Sequence, residues 1–279
     1  RLTIYKNDNH AACNYCGYKI SIPKKCPTCG HADIIFRGYG TERVTDTLQL
    51  LIPEARILRM DAKTMTTSAK HEKAYNDFKS HQYDILVGTQ MISKGLDFPK
   101  VTLVGILQID ASLAFLDFRM AEKTYQIISQ VSGRAGRAEN PGKVVIQTFT
   151  PDHYVIEYAS ETNFKSFAQK ELENRRMLFY PPYSRLVKFL FKSKNEEKLS
   201  DYINNITPHL KVIAEETKVN CLGPAPAGIE KLENEYRMQF LIKADAVKTR
   251  KAFIQKAIEF LKPVSGISYI IDVDPQTTL

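Results

Sequence analysis

Two short segments carry residue types and spacings that suit phosphate chemistry. The first is Gln130-Val131-Ser132-Gly133-Arg134-Ala135-Gly136-Arg137, which follows a helical stretch. Arginines three apart share a helical face, and their planar forks bind phosphate oxygens bidentately without ever deprotonating. The neighbouring glycines let the backbone come close, and Gln130, a turn earlier, can orient water or touch phosphate. Such a group, presented by one domain to a nucleotide held on another, stabilises a transferring γ-phosphoryl. The plainer reading is a solvated basic helix end, where Arg also complements the C-terminal dipole.

The second segment is Gly88-Thr89-Gln90-Met91-Ile92-Ser93-Lys94-Gly95-Leu96-Asp97-Phe98-Pro99, directly after the apolar run Ile85-Leu86-Val87. A hydroxyl and backbone amides at a strand end can grip a sugar–phosphate backbone. Thr89 is the candidate for that contact, with Lys94 beside it. Gly95 permits a tight turn, and Asp97 can accept from a ribose hydroxyl, from Arg137 or from a backbone amide. Taken alone, Asp97 reads as an ordinary turn residue. Asp110, at the end of the apolar run Val101 to Ile109, is a candidate link between a nucleotide cleft and a nucleic-acid track.

Cysteines supply a third kind of chemistry. Cys13, Cys16, Cys26 and Cys29 form two C-x-x-C pairs in the first thirty residues, each followed by glycine, and Cys221 stands alone. Paired knuckles of this kind point thiolates at a metal more readily than they form disulfides. Cys221 reads as a small buried apolar residue.

These groups must be positioned by a fold, and the bulk properties bound it. The chain has 279 residues, a formal charge of +8, 43% hydrophobic and 25% charged residues, a prior for two domains with an accessory module. The charge favours a polyanionic partner without proving one. No apolar run approaches the ~18 residues of a membrane span. The N-terminus has no signal-peptide core and no initiator Met, so a fragment or a processed piece is expected.

Residues 1–37 read as a cysteine-bearing, partial zinc-binding region. From 38 to 155, short apolar runs alternate with amphipathic stretches: strands at Arg56 to Asp61, Ile85 to Val87, Val101 to Ile109 and Val144 to Ile146, the last three apolar on both faces. Helices fall at Ala69 to Lys79, with Ala74, Tyr75 and Phe78 on one face, and at Ala121 to Val131. The alternation predicts parallel strands with helical crossovers, an α/β lobe. A charged helix from Phe164 to Met177 lies in a linker, 156–182, that ends at Tyr180-Pro181-Pro182-Tyr183, because prolines cannot continue it. Residues 183–279 then read strand (Leu186 to Phe191), helix (Glu196 to Glu216), a Gly/Pro-rich strand or loop from Cys221, strand (Tyr236 to Ile242), helix (Ala246 to Leu261) and strand (Ser268 to Val273). That order is the split βαβ, ferredoxin-like α+β arrangement.

The motif Gly-Thr-Gln-Met-x-x-Lys-Gly-x-x-Phe-Pro followed by Gln-Val-x-Gly-Arg-Ala-Gly-Arg resembles the PriA family of primosomal replication-restart helicases (primosomal protein N′). Further matches are Cys-Pro-x-Cys-Gly, Gly40-Thr41-Glu42-Arg43, Asp117-Phe118-Arg119, Glu173-Asn174-Arg175-Arg176 and the closing Asp272-Val273-Asp274-Pro275, so the resemblance runs along the whole chain. It implies the C-terminal half of an ATP-dependent 3′→5′ DNA helicase that recognises abandoned forks and reloads the replisome. It also implies a RecA-like second helicase lobe, with Gly95, Asp97, Arg134 and Arg137 at the nucleotide, Gln130, Arg134 and Arg137 in catalysis, and Arg137 as the finger. Implied cofactors are ATP with Mg²⁺ and two Zn²⁺. Implied partners are branched and single-stranded DNA, the acidic tail of single-stranded-DNA-binding protein and primosome loaders, for a monomer in the bacterial cytoplasm at the nucleoid. Lys248, Arg250 and Lys251 in the last domain suit DNA chemically, but a solvated helix face explains them as well.

The chain departs from the family in three ways. The family nests eight cysteines around two zinc ions, whereas only the last four are here, so Cys26 and Cys29 would share one ion with a missing pair and Cys13 and Cys16 the other. A four-thiolate site made of these residues would therefore mix ligands of two sites. No G-x-x-x-x-G-K-[ST] loop and no acidic Mg²⁺ motif occurs, so the piece by itself is expected to be inactive. The strand that opens the motor lobe in the family is absent too. Two rivals remain: another superfamily-two translocase, and a non-enzymatic, zinc-dependent DNA-binding or loading adaptor.

Overall fold

The computed structural model describes residues 3–5, 10–13, 18–25, 29–32, 40–89, 92, 98, 100–114, 117–133 and 142–278. The chain divides into two compact units. One comprises residues 1–34, 116–119 and 168–279, and the other residues 35–115 and 120–167.

At the N-terminus three short strands, β1 (Thr3–Tyr5), β2 (His10–Ala12) and β3 (Lys19–Ser21), form an antiparallel meander. The Cys13 amide donates to Tyr18 O at 2.8 Å. Strands of three residues have too few positions for a visible alternation, and the sequence did not signal them.

The second unit is built from parallel strand pairs with helical crossovers. After α1 (Thr41–Leu51), strand β4 (Ile57–Met60), helix α2 (Ser68–Lys79) and strand β5 (Ile85–Gly88) form one βαβ unit, with Met60 opposite Gly88. Ala74 is buried, and Tyr75 and Phe78 pack with Met60 and Phe98, as the expected apolar face requires. Strand β6 (Leu103–Ile106), the single turn α3 (Asp110–Leu113), helix α4 (Met120–Ser132) and strand β7 (Lys143–Ile146) form the other unit. Helices α5 (Tyr154–Ser160) and α6 (Phe164–Met177) follow. Thr124, Tyr125 and Ile128 give α4 its buried face, and Tyr125 and Ile128 pack with Val155, Ile156, Ala159 and Phe167.

Two expectations are corrected. The run Val101 to Ile109 is strand only over four residues, because Gln108 takes a left-handed φ of 54° that a strand cannot accommodate. Nor are β6 and β7 apolar-covered on both faces. Leu103 is 62% and Val145 48% exposed, both on the pleat side shared with Gly105 and Lys143.

The C-terminal unit contains β8 (Arg185–Ser193), α7 (Glu196–Thr217), β9 (Asn220–Leu232), β10 (Glu235–Ala244), α8 (Val247–Phe260) and β11 (Ser268–Val273). The sheet order is β11-β8-β10-β9, antiparallel throughout, the split βαβ order. Val187, Phe189 and Phe191 on one face of β8 pack against Leu199, Ile203, Leu210, Phe253 and Ala257 of the two helices. The alternate residues Leu186, Lys188 and Leu190 are buried too, so β8 is covered on both faces.

Candidate nucleotide and nucleic-acid site

In open α/β sheets, ligands gather at the carboxyl ends of parallel strands. Here β5 ends at Gly88, followed by Thr89, whose side chain is exposed and makes no hydrogen bond among the described residues. A β-carbon at Gly88 would stand 2.6 Å from Met60 O and 2.8 Å from Ile92 Cγ2, so only glycine lets the strand pass this close to β4. The segment is pinned further on by Phe98, which is buried against Phe78 edge-on at 4.8 Å and Tyr75 at 5.3 Å. Thr89 is thus presented to solvent between two fixed points. Lys94, Gly95 and Asp97 lie outside the described residues.

At the neighbouring strand end the structure reveals a brace that sequence reasoning did not assign. Thr41, at the first turn of α1, donates to Asp61 Oδ2 at 2.5 Å, and Asp61 Oδ1 accepts from the amides of Lys63 and Thr64 at 2.9 Å. Arg59 pairs with Asp61 at 3.2 Å and reaches Glu42 at 3.7 Å. Burial pushes the Asp61 carboxyl up, yet the bonds from Thr41, Thr64 and Lys63 and the Arg59 charge together hold it below its usual range. Gly40-Thr41-Glu42 is therefore read here as the clamp between α1 and the end of β4. An Asp three residues before a Thr at a strand end was the available signal.

Gln130 is exposed on the last turns of α4, and its side chain makes no hydrogen bond among the described residues. The helix continues to Gly133, whose amide donates to Ser129 O at 3.0 Å. Arg134 and Arg137 lie outside the described residues. Asp110 accepts from Thr148 Oγ1 at 2.8 Å, Thr150 Oγ1 at 3.0 Å and the Phe149 amide at 3.1 Å. Burial opposes its ionisation, but those bonds lower its pKa below the ordinary value. Its oxygens are engaged in joining the ends of β6 and β7, so its place is structural.

Among the four N-terminal cysteines, Cys13 is half-buried and Cys29 exposed; Cys16 and Cys26 lie outside the described residues. Among the described residues no three metal-ligating side chains converge. By residue type, two C-x-x-C pairs suit a thiolate metal site. Cys221 is half-buried on β9, and burial pushes its thiol up to about 11. Arg250 corrects the picture of a solvated basic face on α8: it is buried and pairs with Asp274 at 2.6 Å.

Two further segments of the resemblance meet inside the C-terminal unit. Glu171 and Arg175 form an ion pair at 2.6 Å, and Arg175 lies over the Phe118 ring at 5.3 Å. Phe118 stacks on Tyr180 at 4.9 Å with the rings within 6° of parallel.

Comparison with known proteins follows this division. Residues 29–139 match the helicase conserved C-terminal domain, and the parallel βαβ units fall within that match. Residues 176–276 match the primosomal protein N C-terminal domain. The chain is 41% identical over 262 residues to the replication restart protein PriA of Bacillus subtilis, covering 94% of this chain and 32% of that protein. It is 39% identical to the Synechocystis protein of the same name, over 94% of this chain and 31% of the relative, and 36% identical to that of Chlamydia trachomatis, over 99% and 37%. The chain belongs to the PriA family and corresponds to its C-terminal part. It spans about a third of the length of the curated relatives it matches. No helix among the described residues is long and apolar enough to cross a membrane.

Proposed function

We propose that this chain is the C-terminal part of an ATP-dependent 3′→5′ DNA helicase that acts at stalled or abandoned replication forks and restarts replication through primosome assembly. The observation that carries the reading is colinearity. A helicase C-terminal domain and a primosomal protein N C-terminal domain follow one another, and relatives named replication restart protein PriA align across 94% or more of the chain.

In this reading residues 1–37 hold zinc through Cys13, Cys16, Cys26 and Cys29. Residues 38–155 are the RecA-like second motor lobe, 156–182 the linker, and 183–279 a ferredoxin-like domain. Arg134 and Arg137 meet the γ-phosphate of ATP bound with Mg²⁺ on the other lobe, Gln130 orients water, and Gly95 and Asp97 shape the nucleotide-facing turn. Thr89 and Lys94 contact the DNA backbone; the exposure of Thr89 between Gly88 and the buried Phe98 supports this placement. The partners are forked and single-stranded DNA, single-stranded-DNA-binding protein and loader proteins, for a monomer in the bacterial cytoplasm.

The test is ATP hydrolysis on forked DNA by this chain joined to its natural upstream half. Arg137→Ala is expected to cost on the order of 10³-fold, as loss of an arginine finger does. Turnover that survives the substitution moves the finger to Arg134, and no turnover from the unsubstituted protein favours a non-enzymatic adaptor.

A further inference from the structure

Strand β7 ends at Ile146, but its alternation of open and covered residues runs on. Lys143, Val145, Gln147 and Phe149 are exposed, and Val144, Ile146 and Thr148 between them are half-buried. Phe149 therefore continues the open side of the strand. It is 91% exposed, more than any other large apolar residue among those described. On the paired strand β6 the exposed residues include Gly105, which lies opposite Val145. A β-carbon at Gly105 would meet nothing within 4 Å, so this side of the strand pair is open.

The backbone that carries the ring is fixed. The Phe149 amide donates to Asp110 Oδ1 and Oδ2, both at 3.1 Å, and Asp110 Oδ1 accepts from Thr148 Oγ1 at 2.8 Å and Thr150 Oγ1 at 3.0 Å. The Thr150 amide donates to Thr148 Oγ1 at 3.0 Å, and Thr150 O accepts from the His153 amide at 3.1 Å. His153 in turn caps α5, its Nδ1 accepting from the Val155 amide at 3.2 Å. Helix α5 is seated in the core by Val155, Ile156 and Ala159. Asp110 thus holds both flanks of one ring from the end of β6, and the loop beyond closes onto a packed helix. A ring left open on a pinned backbone is preorganised for a partner.

The chemistry around the ring selects that partner. Residues 147–152 are Gln, Thr, Phe, Thr, Pro and Asp, with no lysine or arginine, and the Asp110 carboxylate is taken up by the loop. Such a neighbourhood offers a phosphate no positive charge. A carboxamide and hydroxyls beside an aromatic face suit a nucleobase, which has a π-face to stack and an edge to hydrogen-bond. The position agrees, because ligands gather at the carboxyl ends of parallel strands.

We infer that Phe149 is a stacking platform for a base of single-stranded DNA, presented at the carboxyl end of β7 by Asp110. The inference rests on the DNA reading of this lobe and adds a base contact to the backbone contact given to Thr89.

The experiment measures binding of the intact helicase, this chain joined to its natural upstream half, to single-stranded DNA in which one 2-aminopurine is moved base by base. Stacking quenches the fluorescence of that base. In Phe149→Ala, emission returns at one of the positions that the unsubstituted protein quenches, and the others stay dark. Affinity falls about 5- to 150-fold, the equivalent of ~1–3 kcal/mol of base stacking. The slope of log K against log salt stays the same, because a base contact releases no counterion. Phe149→Tyr, which keeps a ring, keeps both the quenching and the affinity. Thermal unfolding is unchanged in both variants, since the side chain is exposed. A quenching pattern and affinity unaltered by Phe149→Ala overturn the platform alone, and poor replication restart by that variant then gives the ring to a protein partner. A shallower salt slope in Phe149→Ala also overturns it, in favour of a phosphate contact. Failure of the unsubstituted protein to bind DNA overturns the DNA reading and the platform with it.

Discussion

Gly88 sits so close to Met60 that a β-carbon at position 88 would lie 2.6 Å from the Met60 carbonyl oxygen. That oxygen belongs to the paired strand β4 and cannot rotate away. The approach fixes where β5 ends, and therefore where Thr89 emerges.

Gly88→Ala is accordingly expected to destabilise the chain by about 1–3 kcal/mol, the usual cost of overpacking. Gly105→Ala is the matched control, because nothing lies within 4 Å of a β-carbon there. A β-carbon in open space costs no contact and removes freedom from the unfolded chain, so that variant is neutral or gains up to about 1 kcal/mol. Urea unfolding with unchanged m-values checks both, and equal losses would refute the close-approach argument.

Glu171 and Arg175 are the second target. Their side chains are 9% and 13% exposed and meet at 2.6 Å, one turn apart on α6. Removing one member of such a pair strands the other in a poorly solvated place. Glu171→Gln should cost about 3 kcal/mol, and most of that loss should vanish in the Arg175→Met background. A double-mutant cycle by thermal unfolding measures the coupling; strictly additive losses contradict it.

Much of this arrangement was legible in the sequence, and the reasons are local. Helices α4, α7 and α8 bury regular stripes, so the 3.6-residue period marked them within a residue or two, while α2 was legible from Ala74, Tyr75 and Phe78 on one face and α6 from its charge and the prolines after it. Helix α1 buries no residue, so it offered no stripe, and only its contact with Asp61 explains Gly40-Thr41-Glu42. Helix α5 has seven residues and too short a period to read. The hydrogen bond from Thr277 to Asp117 was invisible for a different reason. These residues are 160 positions apart, and a partner at that distance leaves no local pattern. Arg250 shows the same limit, because its partner Asp274, itself half exposed, follows a later strand. Of the candidate site, Thr89, read as a backbone contact from strand-end chemistry, stands exposed after β5, and Asp110 bonds Thr148, Phe149 and Thr150, partners that the local sequence did not announce.

Asp84 provides a pH-dependent test. Arg56 donates to it through Nε at 2.9 Å, Nη2 at 2.7 Å and its backbone amide at 2.9 Å, tying the starts of β4 and β5 together. The side-chain bond from Arg56, helped by the Arg56 amide, lowers the Asp84 pKa to about 2, against roughly 3.9 in an unfolded chain. A carboxylate lowered in the folded state contributes stability above its unfolded pKa and loses it as pH falls through the folded one. Denaturant midpoints should therefore drop between about pH 4 and pH 2, and Asp84→Asn should flatten that part of the profile. High salt should weaken the effect, since both side chains are about half exposed. A profile in the variant as steep as in the unsubstituted chain would assign the acid sensitivity to Asp61 and Asp110.

The cysteines give the last prediction. The family's nested pairing assigns Cys13 and Cys16 to one Zn²⁺ and Cys26 and Cys29 to another. Without their partner pairs these four thiolates can complete only one adventitious tetrahedral site, so this chain by itself is expected to bind one Zn²⁺. Cys13→Ser or Cys29→Ser removes a ligand and should abolish tight binding, because three thiolates leave the ion open to water and chelator. Cys221→Ser should change nothing: that thiol sits on β9 and burial holds its pKa near 11, so at neutral pH it is protonated and a poor ligand. Metal content after dialysis and the thiolate absorption of a Co²⁺-substituted sample read this without any activity assay. Since ligand thiols must deprotonate, affinity should also fall as pH is lowered. Binding that persists in both Cys13→Ser and Cys29→Ser, or that Cys221→Ser weakens, would place the metal elsewhere.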